Sequence, residues 1–106
     1  MDVEFGSRRL RQRYERSAEA IRAWGPDVGR RYIQRVEALF AADRIQDLYQ
    51  VRAFDLHPLT GDRDGQYAMR LTGQMRLIST IDGDRHVTVE EVVDYHDWHA
   101  NPTDRV

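Results

Sequence analysis

The chain contains no cysteine and no lysine. Without cysteine there are no disulfides, thiolate metal ligands or cysteine nucleophiles. Without lysine no ammonium group can serve as acid, base or point charge, and all 16 basic residues are arginine. GC-rich codons account for that bias as well as arginine's paired donors and stacking plane suit phosphate and RNA; composition does not separate the two. No apolar run approaches the roughly 18 residues of a membrane span, and the opening MDVEFGSRRLRQ lacks the apolar segment of a signal peptide. What is present is 106 residues, 41% hydrophobic and 32% charged. That is enough for one domain over 1–106 with its own core, expected in the cytoplasm.

The formal net charge is −2, but it is unevenly spread. Between Arg8 and Arg35 there are nine arginines against three acids, while acids outnumber arginines after residue 52. Such asymmetry fits a surface that faces a polyanion, and equally a solvated helix face. A dedicated nucleic-acid protein is usually basic overall, and this chain is not.

Asp2 to Phe5 alternates polar and apolar and predicts a short strand. Ser7 is placed to cap a helix in which Leu10, Tyr14, Ala18 and Ile21 recur at helical spacing. Gly25-Pro26 ends that helix and starts a second, with Val28, Tyr32, Val36 and Leu39 on one stripe. Ile45, Leu48 and Tyr49 suggest one further helical turn. After Val51 the period becomes two. Phe54 and Leu56 alternate with Asp55 and His57, and Pro58 breaks the run. Residues 60–65 form a turn-rich loop without P-loop spacing or its lysine. Two further strands follow around Thr72–Gln74, then a hairpin turn at Asp82-Gly83-Asp84 and a last strand from His86. The expected fold is α+β: two N-terminal helices packed on a twisted antiparallel sheet of three to five strands.

Parity sets the register of the first clear hairpin. A three-residue loop at 72–74 pairs Leu71 with Met75 and Met69 with Leu77, keeping one apolar face. The same register places Arg70 opposite Arg76. Like charges directly opposite are destabilising, so the pair calls for an anion between them or for acids nearby, Glu90 or Asp94 on the next strand. In the last strand Val87, Val89 and Val93 share one parity, and Thr88, Glu90, Asp94 and His96 the other, with Val92 as the exception. Tyr95 would need a bulge or the strand's end to join the polar face. His57 is polar-facing on its own strand, and imidazole gives or takes protons near neutrality. Two histidines, a carboxylate, a tyrosine and two arginines could serve phosphodiester chemistry. The spacing in residues 94–99 is not read as a metal site, and no cofactor is expected.

Three segments resemble one family in order and spacing: Leu56-His57-Pro58-Leu59-Thr60-Gly61-Asp62-Arg63 with Gly65-Gln66-Tyr67; Met75-Arg76-Leu77-Ile78; and Val92-Val93-Asp94-Tyr95-His96. They resemble the HigB branch of the RelE/ParE superfamily, the toxins of type II toxin–antitoxin modules. The resemblance covers residues 54–96; the helical half matches in layout. It implies a microbial-ribonuclease-like fold and metal-independent cleavage of mRNA, typically on the ribosome, in which the ribose 2′-hydroxyl attacks the adjacent phosphate. It also implies a cognate HigA-like helix-turn-helix antitoxin, with operator DNA reached only through that partner.

The family's active-site positions fall on His57, Arg76, Asp94, Tyr95 and His96, with Met75 where relatives carry an aromatic residue. The family lysine falls on Thr60, which carries no charge; Arg63 and Arg70 are the candidates to replace it in substrate binding. On this reading His57 and His96 transfer protons, Asp94 polarises a histidine or acts as base, Tyr95 orients or stacks on a base, and Arg76 stabilises the phosphate. Two alternatives stand beside it. One is a ParE-like gyrase poison on the same fold. The other is a catalytically weakened toxin acting mainly as antitoxin partner and co-repressor, suggested by Thr60 and by a pI near 6.1.

Overall fold

A computed structural model describes residues 1–83 and 85–94. The chain runs through strand β1 (Asp2–Phe5), helices α1 (Arg8–Glu15), α2 (Ser17–Trp24), α3 (Pro26–Ala41) and α4 (Ile45–Tyr49), and strands β2 (His57–Pro58), β3 (Gln66–Arg70), β4 (Met75–Asp82) and β5 (His86–Asp94). Short 3-10 turns occupy Arg52–Phe54 and Gly61–Arg63. The five strands form one sheet in the order β1-β5-β4-β3-β2. It is mixed rather than antiparallel, because β1 runs parallel to β5 at one edge.

The helical half departs from the expected two helices. Ser7 caps α1 as anticipated, its hydroxyl accepting from the Leu10 N–H at 3.2 Å. The first apolar stripe is then split at Arg16, which takes an extended conformation and closes α1 through its N–H to Gln12 O. Packing explains the split. Leu10 on α1 is buried in the core, and Tyr14 stacks between Phe5 and Phe40 at 5.7 and 5.6 Å. α2 instead lies on α3, where a Cβ at Gly29 would come within 2.9 Å of the Ala20 carbonyl carbon. One straight helix cannot meet both partners. Gly25, at φ 86°, makes the reversal that only glycine makes cheaply, and Pro26 opens α3.

The helices cover one face of the sheet. Tyr32, Val36 and Leu39 from α3 meet Met69, Leu77, Val87 and Val89 from the strands and Leu71 just past β3, all buried. Tyr32 is fully buried, and its hydroxyl donates to Leu10 O at 2.7 Å. Burial drives its phenol well above the ordinary value.

The hairpin register is the one parity predicts: Met69 faces Leu77, Arg70 faces Arg76, and Leu71 N–H donates to Met75 O at 2.9 Å. Strand β5 departs from its predicted parity. Ile78 lies opposite Glu91 but Ser79 lies opposite Val89, so Glu90 is an extra, bulged residue. Beyond it every side chain changes face. Val92 registers with Leu77 on the core side, Val93 with Arg76 on the other, and Asp94 with Met75. Val92 is therefore no exception to the pattern. The segment around Phe54 is also not a strand: a 3-10 turn ends at Asp55, whose φ of 45° is left-handed. No described helix is long and apolar enough to cross a membrane.

Candidate active site

The sheet face away from the helices carries His57, Arg70 and Arg76. Across it, His57, Ala68, Ile78 and Glu91 form one row, and Arg70, Arg76 and Val93 the next. Leu59, Ala68 and Ile78 are buried there, with Val93 packed against them, making a small apolar floor separate from the main core. Polar groups around such a floor sit in lowered dielectric, where their charges act over longer range than in water.

His57 stands at the edge on β2, its Nδ1 3.0 Å from Asp55 O. A carbonyl can only accept, so this contact puts a proton on Nδ1 and leaves Nε2 as the basic nitrogen of the neutral ring. The Asp55 carboxylate also lies 3.6 Å from the Arg70 guanidinium. One residue thereby ties the histidine and the arginine together. The left-handed backbone of Asp55 lets its carbonyl and carboxylate serve both, a conformation aspartate tolerates better than most residues.

The two opposed arginines divide their work. Arg70 has its side chain about half exposed. Arg76 is only 5% exposed, and its Nη1 donates to Thr72 O at 2.8 Å, Met75 O at 3.1 Å and Gly73 O at 3.2 Å. It holds the β3–β4 turn through these carbonyls. Of the two expected acidic partners, Glu90 instead accepts from Thr80 Oγ1 at 2.7 Å. Arg63 contacts Gln66 at 3.0 Å and Glu91 at 3.3 Å, beside the row that begins at His57. Thr60 is exposed and leads into the 3-10 turn ending at Arg63.

The structure thus brings His57, Arg63, Arg70 and Arg76 onto one face. Asp94 is not in register with them: the bulge puts it on the Met75 and Leu77 parity. Tyr95 and His96 lie outside the described residues. Asp55 and Glu91 are the site neighbours that parity missed. Asp55 sits in a turn, where alternation has no meaning, and Glu91 reaches the face only because of the bulge. Among the described residues no three histidine or acidic side chains gather to hold a metal ion.

A helical layer on one side of a mixed five-stranded sheet is a fold that this chain shares with solved structures of other proteins. Three solved structures show it. A point mutant of YafQ from E. coli aligns with a TM-score of 0.63 at 16% identity, over 90% of this chain and 93% of that one. A YoeB/ParE toxin from Agrobacterium tumefaciens gives 0.58 at 13% identity, over 89% and 98%. The E. coli DinJ–YafQ toxin–antitoxin complex gives 0.57 at 15% identity, over 93% and 97%. No protein-family model matches the chain, and no curated protein matches its sequence.

Proposed function

We propose that this single domain is the toxin of a type II toxin–antitoxin module, a HigB-like endoribonuclease that cleaves mRNA and arrests translation in the cytoplasm. The observation that carries the reading is the placement of His57 with Arg70 and Arg76 on the sheet face away from the helices. The chemistry that suits it is attack of a ribose 2′-hydroxyl on the adjacent phosphorus. The base takes the hydroxyl proton, the P–O5′ bond breaks, an acid protonates the leaving oxygen, and a 2′,3′-cyclic phosphate remains. His57, basic at Nε2, and His96, placed by the sequence motif, are the proton-transfer pair. Arg70 binds the phosphate directly and Arg76 adds field from beneath. Arg63, held near Glu91, and Thr60 flank the substrate, and Tyr95 orients a base. The partner is a helix-turn-helix antitoxin of the HigA kind, and the substrate mRNA on the ribosome.

Inducing the wild type, His57→Gln and His96→Gln and mapping mRNA 5′ ends tests this. New 5′ ends should appear with the wild type and fall at least about 100-fold in either variant, the usual weight of a general acid or base. Equal cleavage by all three would sink the assignment. DNA damage with intact mRNA would instead mark a gyrase poison.

Thr60 in place of a cation, together with Arg76 held by the turn, favours a second reading in which activity is weakened and partner binding dominates. Thr60→Lys should then raise cleavage, and an unchanged rate would reject the weakening.

A further inference from the structure

Arg31 and Arg35 lie one turn apart on α3 and reach the end of β3. Arg31 Nη1 donates to Leu71 O and Arg35 Nε to Arg70 O, each at 3.0 Å. Arg35 is 7% exposed, lies 4.8 Å over the Phe54 ring, and donates through Nη1 to Gln34 Oε1 at 2.6 Å. With Arg70 these two line a cleft of about 460 Å³ between α3 and the β3–β4 turn.

Two like charges at this helical spacing repel. The Arg35 pKa is lowered by burial and then by Arg31, so the charged form is held against an opposing environment. Among the described residues no carboxylate forms an ion pair with Arg31 or Arg35, in a chain whose acids outnumber its arginines. Holding two strand-end carbonyls needs donors only, which a neutral amide supplies. Charge with no carboxylate partner among the described residues suits an anion. Both forks are already fixed by their carbonyl contacts, so little side-chain entropy is lost on binding one.

We propose that this cleft is a phosphate subsite that grips the sugar–phosphate backbone of single-stranded RNA next to the scissile link. The proposal rests on the ribonuclease reading. Arg70 both stands on the candidate catalytic face and lines the cleft, so a backbone leaving that face around the end of the β3–β4 turn enters it. Planar forks suit paired phosphate oxygens. Among the described residues the cleft lining includes no aromatic residue on which a base would stack, which suits backbone rather than base.

Fluorescence anisotropy with a short 2′-O-methylated RNA, which cannot undergo 2′-hydroxyl attack, tests the subsite without cleavage. Arg31 is exposed, so Arg31→Glu should fold, as circular dichroism will check. It should weaken binding about tenfold and flatten the log–log salt slope by about 0.7, one single-strand phosphate contact. Arg22→Glu, the same charge change on α2, should alter affinity by less than about twofold. Arg35→Lys, keeping charge but losing the fork, should also weaken binding. Equal effects of Arg31→Glu and Arg22→Glu, or no binding by the wild type, would overturn the subsite. So would loss of binding to a polyglutamate peptide with RNA binding unchanged, which would mark a site for an acidic protein segment. If binding depends on Arg31 but the wild type cleaves no mRNA, the subsite stands and the ribonuclease reading falls. If the wild type cleaves mRNA but binding does not depend on Arg31, the subsite falls and the ribonuclease reading stands.

Discussion

Asp55 shows how much one residue can set. Its carbonyl orients His57 and its carboxylate competes with any phosphate for Arg70. Asp55→Gly keeps the left-handed backbone at little cost while removing the charge. Stability should change by less than about 1 kcal/mol, since the ion pair is exposed, and RNA should bind more tightly in the anisotropy assay. Weaker binding would mean that the carboxylate holds Arg70 in place. Tyr32 is the corresponding residue of the core. Tyr32→Phe leaves Leu10 O without its buried donor and should cost about 1–3 kcal/mol in urea unfolding. The pH dependence follows from the raised phenol pKa. The unfolded chain ionises first, so the stabilisation is complete below about pH 10 and is lost as pH rises above it. Thermal melts across that range should fall less steeply in Tyr32→Phe than in the wild type.

At the scale of elements, two local features place the site. The first is the contact of α2 with α3 at Ala20 and Gly29, which is why the predicted first helix breaks at Arg16. Gly29→Ala has no room against the Ala20 backbone. It should destabilise by about 1–3 kcal/mol, read as a lower urea midpoint at constant slope; a neutral effect would show that the pair can separate. The second is the Glu90 bulge. Alternation predicts β5 up to Val89 and fails after it, because a bulge adds one residue and inverts every later one. The hairpin around residues 72–74 was legible in full, since two apolar pairs and one turn length admit a single register. The 3-10 turn at residues 52–54 was not, because Phe54 and Leu56 are apolar for packing reasons that alternation imitates.

For the molecule as a whole, the proposed binding of a polyanion has to accommodate a formal charge of −2. Segregation of the charges is compatible with it. Arg31, Arg35 and Arg70 meet at one end of the sheet, whereas Glu4 is occupied by His86 at 2.8 Å toward the other. Binding of single-stranded RNA should therefore weaken with salt, with a log–log slope of about −2 for three phosphate contacts. Anisotropy titrations between low and physiological salt check this. A slope near zero would mean that the arginines do not face the RNA.

The absence of lysine determined from the outset that cationic work here falls to arginine, and that acid–base work falls elsewhere. Composition and periodicity also carried the α+β class, the helical half before the sheet, and the Arg70–Arg76 opposition. Those features depend on local spacing, which a sequence displays directly. Tertiary structure alone decided that β1 lies parallel to β5, that Asp94 leaves the Arg76 parity, that Asp55 joins His57 to Arg70, and that Arg31 and Arg35 close on the end of β3. Each of these joins segments distant along the chain or turns on a single inserted residue, and no local period encodes either.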